Sequence, residues 1–120
     1  MVYRIRRTVE SGQDLDLAFD HFVSSYLGFG DTIEEAFERA SRRLRKVNDD
    51  IEGLARFPHK GTRNPEMDPH LRHMTRDGMV IYFNVDDTAR TVNVLAIFCG
   101  PQDHQRHMID RLLQQMSPDA

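Results

Sequence analysis

The stretch "FCGPQDHQRH", residues 98–107, sets a cysteine, an aspartate and two histidines beside a glycine–proline break. Cys99 and His104 are the residue types of a thiol nucleophile and its base. No neighbour orients that pair, and a cysteine that ends an apolar strand usually behaves as a small inert hydrophobe. Asp103, His104 and His107 fall near one helical face, a spacing that metal ligands can use. A metal site needs three or four ligands with supporting groups, and no further Cys or His cluster accompanies them, so neither metal nor cofactor is expected. The remaining reading is a corner. Gly100 and Pro101 end a strand, Asp103 caps the following helix, and the two histidines occupy its first turns.

The chain that must position this corner has 120 residues, enough for one domain with one modest core. Its single cysteine excludes an internal disulfide and suits a reducing compartment. The longest apolar run, Val94 to Cys99, is far too short to cross a bilayer. "MVYRIRRTVE" lacks the basic-then-apolar pattern of a signal peptide, so a cytoplasmic location is expected. The net charge of −3 conceals segregation: residues 8–38 carry eight acids and no Lys or Arg, and residues 39–63 carry eight bases against three acids. Such blocks are either solvated helix faces with favourable ends or a basic surface for an acidic partner.

Alternation over residues 2–9 predicts a strand with Tyr3, Ile5 and Val9 on one face. Ser11 then serves as an N-cap for a helix whose seam is Leu15, Phe19, Phe22, Val23 and Tyr26, broken at "GFGD". Thr32 and Glu35 form a capping-box pattern opening a second helix, with Phe37, Ala40, Leu44, Val47, Ile51 and Leu54 along its seam. The short link predicts an antiparallel helical hairpin. "FPHKGTRNPEMDP" reads as loop. "HLRHMT", "MVIYFNV" and "TVNVLAIFC" then read as three strands, with Met79, Ile81, Phe83 and Val85 on one face of the middle strand and Val92, Val94, Ala96 and Phe98 likewise on one face of the last. A closing helix places Met108, Leu112 and Met116 in line. The order β-α-α-β-β-β-α defines an α+β domain over 1–120: an N-terminal helical hairpin on a mainly antiparallel four-stranded sheet, then a short C-terminal helix.

That order, with "FPHKGTRNPEM", "LRHMTRDGMVIYFNVDD" and "VNVLAIFCGPQDHQRHMIDRLL", resembles the RelE/ParE superfamily of toxins from type II toxin–antitoxin systems. The likeness runs from about Tyr3 to Leu113 and is greatest to the ParE-like, or plasmid-stabilisation, branch. It implies a toxin that arrests growth when its antitoxin is lost. ParE-like members poison DNA gyrase without a hydrolytic site, whereas RelE-type members cut messenger RNA on the ribosome. The implied partner is a cognate ParD-like antitoxin in a hetero-oligomer. Nucleic acid would be met mainly through that antitoxin at the operon, and no membrane is involved.

Cleavage of RNA through its 2′-OH needs a proton acceptor, a proton donor and cations that hold the phosphate. The resemblance brings Arg72 to the first of the matching positions, with Arg76, Lys60, Arg63 and His73 as candidates to complete a site. Neighbours in a strand face opposite ways, so Arg72 and His73 are not expected to share a pocket. Tyr82 shares a parity with Val80 and Asn84 and reads as a partly buried sheet residue, and no tyrosine follows the last strand. The expected activity is therefore gyrase poisoning, with a ribosome-dependent endonuclease as the alternative. Arg63, Arg72, Arg76, His104 and His107 are the candidates for contact with target or partner. Phe19, Phe22, Phe37, Arg42 and Arg45 are either core and solvated helix or the lining of an antitoxin groove. The basic run "RASRRLRK" contains no aromatic, so nothing in it selects nucleic acid over an acidic peptide.

Overall fold

A computed structural model describes residues 2–99 and 103–116. Strand β1, Arg4–Arg7, leads through Thr8 into helix α1, Val9–Gly28, and a short link connects this to α2, Ile33–Glu52. A 3-10 turn, Gly53–Ala55, precedes β2, Thr62–Arg63. Then come β3, Leu71–Arg76, β4, Met79–Asp86, β5, Thr91–Cys99, and helix α3, His104–Met116. The five strands form one sheet in the order β1-β5-β4-β3-β2, antiparallel except where β1 runs parallel to β5. The fold class is the expected α+β one. The fifth strand is the two-residue β2, which pairs with β3 inside the segment read as loop.

The helix starts show how local chemistry sets these boundaries. At α2, the Thr32 hydroxyl accepts from the Glu35 N–H and the Glu35 carboxylate accepts from the Thr32 N–H, completing the capping box. At α1 the cap is Thr8 rather than Ser11, because the chain leaves β1 extended at Thr8 (ψ 158°) and turns helical at once. Thr8 Oγ1 accepts from the Ser11 N–H, and the Ser11 hydroxyl donates to the Thr8 carbonyl. The predicted first strand is correspondingly shorter.

The helical hairpin covers one face of the sheet. Ala18 and Phe22 of α1 and Ala40, Val47 and Ile51 of α2 bury against Met79, Ile81, Phe83 and Val85, as the period-two pattern requires. Phe19 and Leu44 are partly buried, and Phe37 stands half exposed with its ring edge-on to Phe19. Helix α3 covers part of the other face, where Leu71, Val80, Tyr82, Ala96 and Met108 form a second, smaller cluster. Leu112 packs there too.

One expectation about β5 is corrected. Tyr82 pairs with Ala96 but Phe83 pairs with Val94, so Leu95 is an extra residue and β5 bulges there. A bulge reverses the parity of all that follows. Val92 and Val94 therefore face the hairpin, Ala96 and Phe98 face α3, and Ile97 and Cys99 return to the hairpin side. The Gly100–Pro101 break and the side chain of Met116 lie outside the described residues.

Candidate functional site

The sheet divides the candidate residues between its two faces. Arg72 lies opposite Phe83, and Arg76 opposite Met79, so both stand on the hairpin side together with Met74. His73 lies opposite Tyr82, on the α3 side. The alternation read from "LRHMTR" thus holds, and Arg72 and His73 point away from each other.

On the α3 side three rings meet. The Tyr82 hydroxyl and His104 Nδ1 are 2.7 Å apart, and His73 Nδ1 is 2.6 Å from Asn64 Oδ1. The ring centroids of His73 and His104 are 5.5 Å apart, and that of Tyr82 lies 5.3 Å and 5.8 Å from theirs. Tyr82 is completely buried rather than partly so, and burial first, then the Asp103 and Glu66 charges, push its phenol up to about 12. It is a hydrogen-bonding post, not a base near neutral pH. Burial, and secondarily the His104 charge, holds His73 below its ordinary value of 6.5. The folded state thus disfavours the imidazolium that the unfolded chain accepts. Stability is expected to be full above pH 6.5 and to fall as the pH drops through the lowered pKa. Urea unfolding at a series of pH values should show this slope, and His73→Gln should flatten it.

Asp103 caps α3, as the corner reading has it, accepting from the Arg106 N–H at 3.1 Å. His104 and His107 do lie in its first turns, His104 on Tyr82 and His107 with its ring 5.5 Å from that of Phe98. Burial pushes the Cys99 thiol up, away from the reactive thiolate. Among the described residues no three His, Cys, Asp or Glu side chains converge as metal ligands.

On the hairpin side the arginines form their own group. Arg63 of β2 is the cross-strand partner of Arg72, so the two cations project to the same face. Arg72 donates to the His59 carbonyl at 2.9 Å. Asp87 sits beside them, accepting from the Tyr3 hydroxyl at 2.6 Å and lying 2.8 Å from His59 Nε2. The hydrogen bonds from Tyr3 and then His59, with the charge of Arg72 adding to them, hold its carboxyl below the usual range. Arg76 stands apart, donating to the Thr75 carbonyl and lying 3.9 Å from Asp50.

The basic run of α2 gains aromatic partners from the other arm of the hairpin. The guanidinium of Arg39 lies 3.9 Å from the centre of the Tyr26 ring, and that of Arg43 4.4 Å from the Phe22 ring. Arg42 pairs with Glu38 one turn earlier, and Arg45 is exposed. Inspection of "RASRRLRK" alone finds no aromatic, but the seam periodicities of the two helices, aligned as an antiparallel hairpin, were the available signal.

A helical hairpin and a short closing helix on a mixed sheet define, in class, a small α+β domain. Residues 21–104 match the family model described as the ParE toxin of the type II toxin–antitoxin system parDE. The chain belongs to that family, within the RelE/ParE superfamily. Among solved structures it is similar to a chain of the chromosomal ParDE toxin–antitoxin system from P. aeruginosa. The TM-score is 0.61 at 19% identity, with 82% of this chain and 96% of that chain covered. It is also similar to a chain of the RelBE2 toxin–antitoxin complex from Mycobacterium tuberculosis, with TM-score 0.56 and 19% identity, covering 85% and 95%. A search of curated proteins found no match. No helix among the described residues is long and apolar enough to cross a membrane.

Proposed function

We propose that this type II toxin is neutralised by a cognate ParD-like antitoxin and arrests growth by binding DNA gyrase, not by hydrolysing RNA. One observation carries the choice. A nuclease needs its acid–base groups and its phosphate cations around one scissile bond. Here the histidine pair His73 and His104 stands on one face of the sheet and Arg63, Arg72 and Arg76 on the other. Of the two histidines that do lie beside Arg63 and Arg72, His59 is held on Asp87 and His70 is not among the positions that the resemblance brings to the site. The histidine face is also occupied by α3, and its tyrosine is completely buried. The hairpin is the surface we propose for an antitoxin segment: half-exposed Phe37 meets Phe19 there, and Arg39 and Arg43 over Tyr26 and Phe22, with Arg42 in the same shallow pocket, offer charge to an acidic peptide.

The endonuclease reading keeps one point in its favour. His73 and His104 lie close together with His73 kept neutral, an arrangement that can take and give a proton. A translating extract separates the two readings. The purified toxin is expected to leave messenger RNA intact at concentrations that stop cell growth on expression. Cleavage of the message, abolished by His73→Ala or Arg72→Ala, would overturn the gyrase reading.

A further inference from the structure

The tip of the helical hairpin turns its apolar side chains to solvent: Phe29 is 87% exposed, Ile33 63% and Leu27 40%. We propose that this tip is the surface by which the toxin grips its protein target, with Phe29 as a knob that enters an apolar socket rimmed by Lys and Arg. That gyrase is this target rests on the proposed function. The surface rests on its own shape and charge.

The fold gives the Phe29 side chain no packing task. Its backbone N–H closes α1, donating toward the Ser25 and Tyr26 carbonyls at 3.1 Å, and its φ of −88° suits any residue. The chain reversal is made by Gly30, at φ +101°. The Phe29 ring meets no other ring or cation among the described residues. Single exposed apolar residues are ordinary, but three gathered at one end of a hairpin mark an interaction surface, and aromatic side chains dominate such contacts.

The tip is also held rigid. The Gly30 N–H donates to the Leu27 carbonyl and the Asp31 N–H to that of Tyr26, both at 3.1 Å. Asp31 is tied to Arg39 at 2.7 Å, and the capping box fixes the start of α2. A knob held in this way loses little freedom when it binds.

Charge selects the occupant. Residues 8–38 contain no Lys or Arg. Asp31, Glu35 and Glu38 are engaged by Arg39, the α2 cap and Arg42, whereas Asp20 and Glu34 have no partner among the described residues. The unpaired charge of this part of the hairpin is therefore acidic. It repels a second copy set tip to tip, a nucleic-acid strand and an anionic lipid surface, and it attracts a protein surface rich in cations. An enzyme that holds DNA carries such cations. An acidic antitoxin segment suits instead the basic stretch of α2, where Arg39 and Arg43 lie over Tyr26 and Phe22. The hairpin thus offers opposite chemistries to its two partners.

The test is binding of the full-length toxin to purified gyrase by interferometry at a series of salt concentrations, beside binding to the cognate antitoxin. Phe29→Ala is expected to weaken gyrase binding about tenfold or more and to leave antitoxin affinity within about twofold. Glu34→Gln should flatten the salt dependence of gyrase binding. Phe29 is exposed, so an unchanged melting temperature will show that the variant keeps its fold. Equal gyrase binding by Phe29→Ala would overturn the proposal. An equal loss of antitoxin affinity would overturn it too, by giving the tip to the antitoxin. A wild-type dimer in sedimentation that Phe29→Ala separates would do the same, by giving it to a second copy. If the wild-type toxin does not bind gyrase at all, the gyrase reading fails and growth arrest on expression decides the tip. A Phe29→Ala toxin that still binds antitoxin but no longer arrests cells supports the tip as the target surface, and full arrest overturns it.

Discussion

An Asp14→Ala variant is expected to lose about 3 kcal/mol of folding stability, the lower end of the range for removing one member of a buried ion pair. Asp14 lies in α1 with its side chain 8% exposed, and three donors converge on it. Its Oδ2 accepts from the Ile97 N–H at 2.9 Å and from Arg111 Nη1 at 2.5 Å, and its Oδ1 accepts from Arg111 Nη2 at 3.0 Å. One carboxylate thus ties α1, the segment of β5 just past the bulge, and α3. Alanine would strand a backbone N–H and a guanidinium together. The lower end applies because Arg111 keeps 20% of its side chain in water and also lies over the Phe98 ring. Asp14→Asn keeps an acceptor for Ile97 but not the charge, and should cost less than alanine. Urea unfolding of the three proteins measures this, and a loss below about 1 kcal/mol for alanine would place the pair among weak surface bridges.

The second large effect is expected at Gly61. Its φ of +82° lies in the left-handed region, and a Cβ built there would overlap the carbonyl oxygen of His73. The conformation alone costs a non-glycine residue about 1–2 kcal/mol. The overlap is with backbone, which cannot swing aside as a flexible side chain can. Gly61→Ala should therefore cost about 2–4 kcal/mol, or else release β2 from β3. Release would carry Arg63 away from Arg72. Gly12 is the control. It is helical with open space around its Cβ position, so Gly12→Ala should stabilise by about 0.5–1 kcal/mol. Thermal unfolding of both variants gives the comparison, and a neutral Gly61→Ala would contradict the close approach.

Much of this architecture is legible in the sequence because it depends on neighbours. The capping box at Thr32 and Glu35 needs only four residues, and the turn at Asp77–Gly78 is marked by its glycine. The strands from Leu71 to Val94 follow a period of two that no local propensity opposes. The features that escape such reading depend on partners far away in the chain. Leu95 bulges in step with the Asp14 carboxylate that receives the next free N–H, a contact spanning 83 residues. β2 is only two residues long, too short for any periodicity, and exists because β3 offers it a free edge.

The same division holds for the candidate site. Strand parity alone separates Arg72 from His73 and keeps Arg72 with Arg76. It does not reveal that Arg63 stands beside Arg72, because that pairing requires β2. Nor does it reveal the Tyr82–His104 bond, which joins a strand to a helix across the sheet face. Among the described residues of the corner, Asp103 caps the closing helix. His104 does more than fill a helix turn, since its Nδ1 is hydrogen-bonded with the hydroxyl of a completely buried tyrosine.

The most direct test of the account is the DNA-cleavage and supercoiling activity of purified gyrase with added toxin, with and without the cognate antitoxin. Cleaved plasmid is expected to accumulate and supercoiling to be lost, both effects being relieved by the antitoxin and both retained by His73→Ala. Unchanged gyrase activity at toxin concentrations that arrest growth would contradict it.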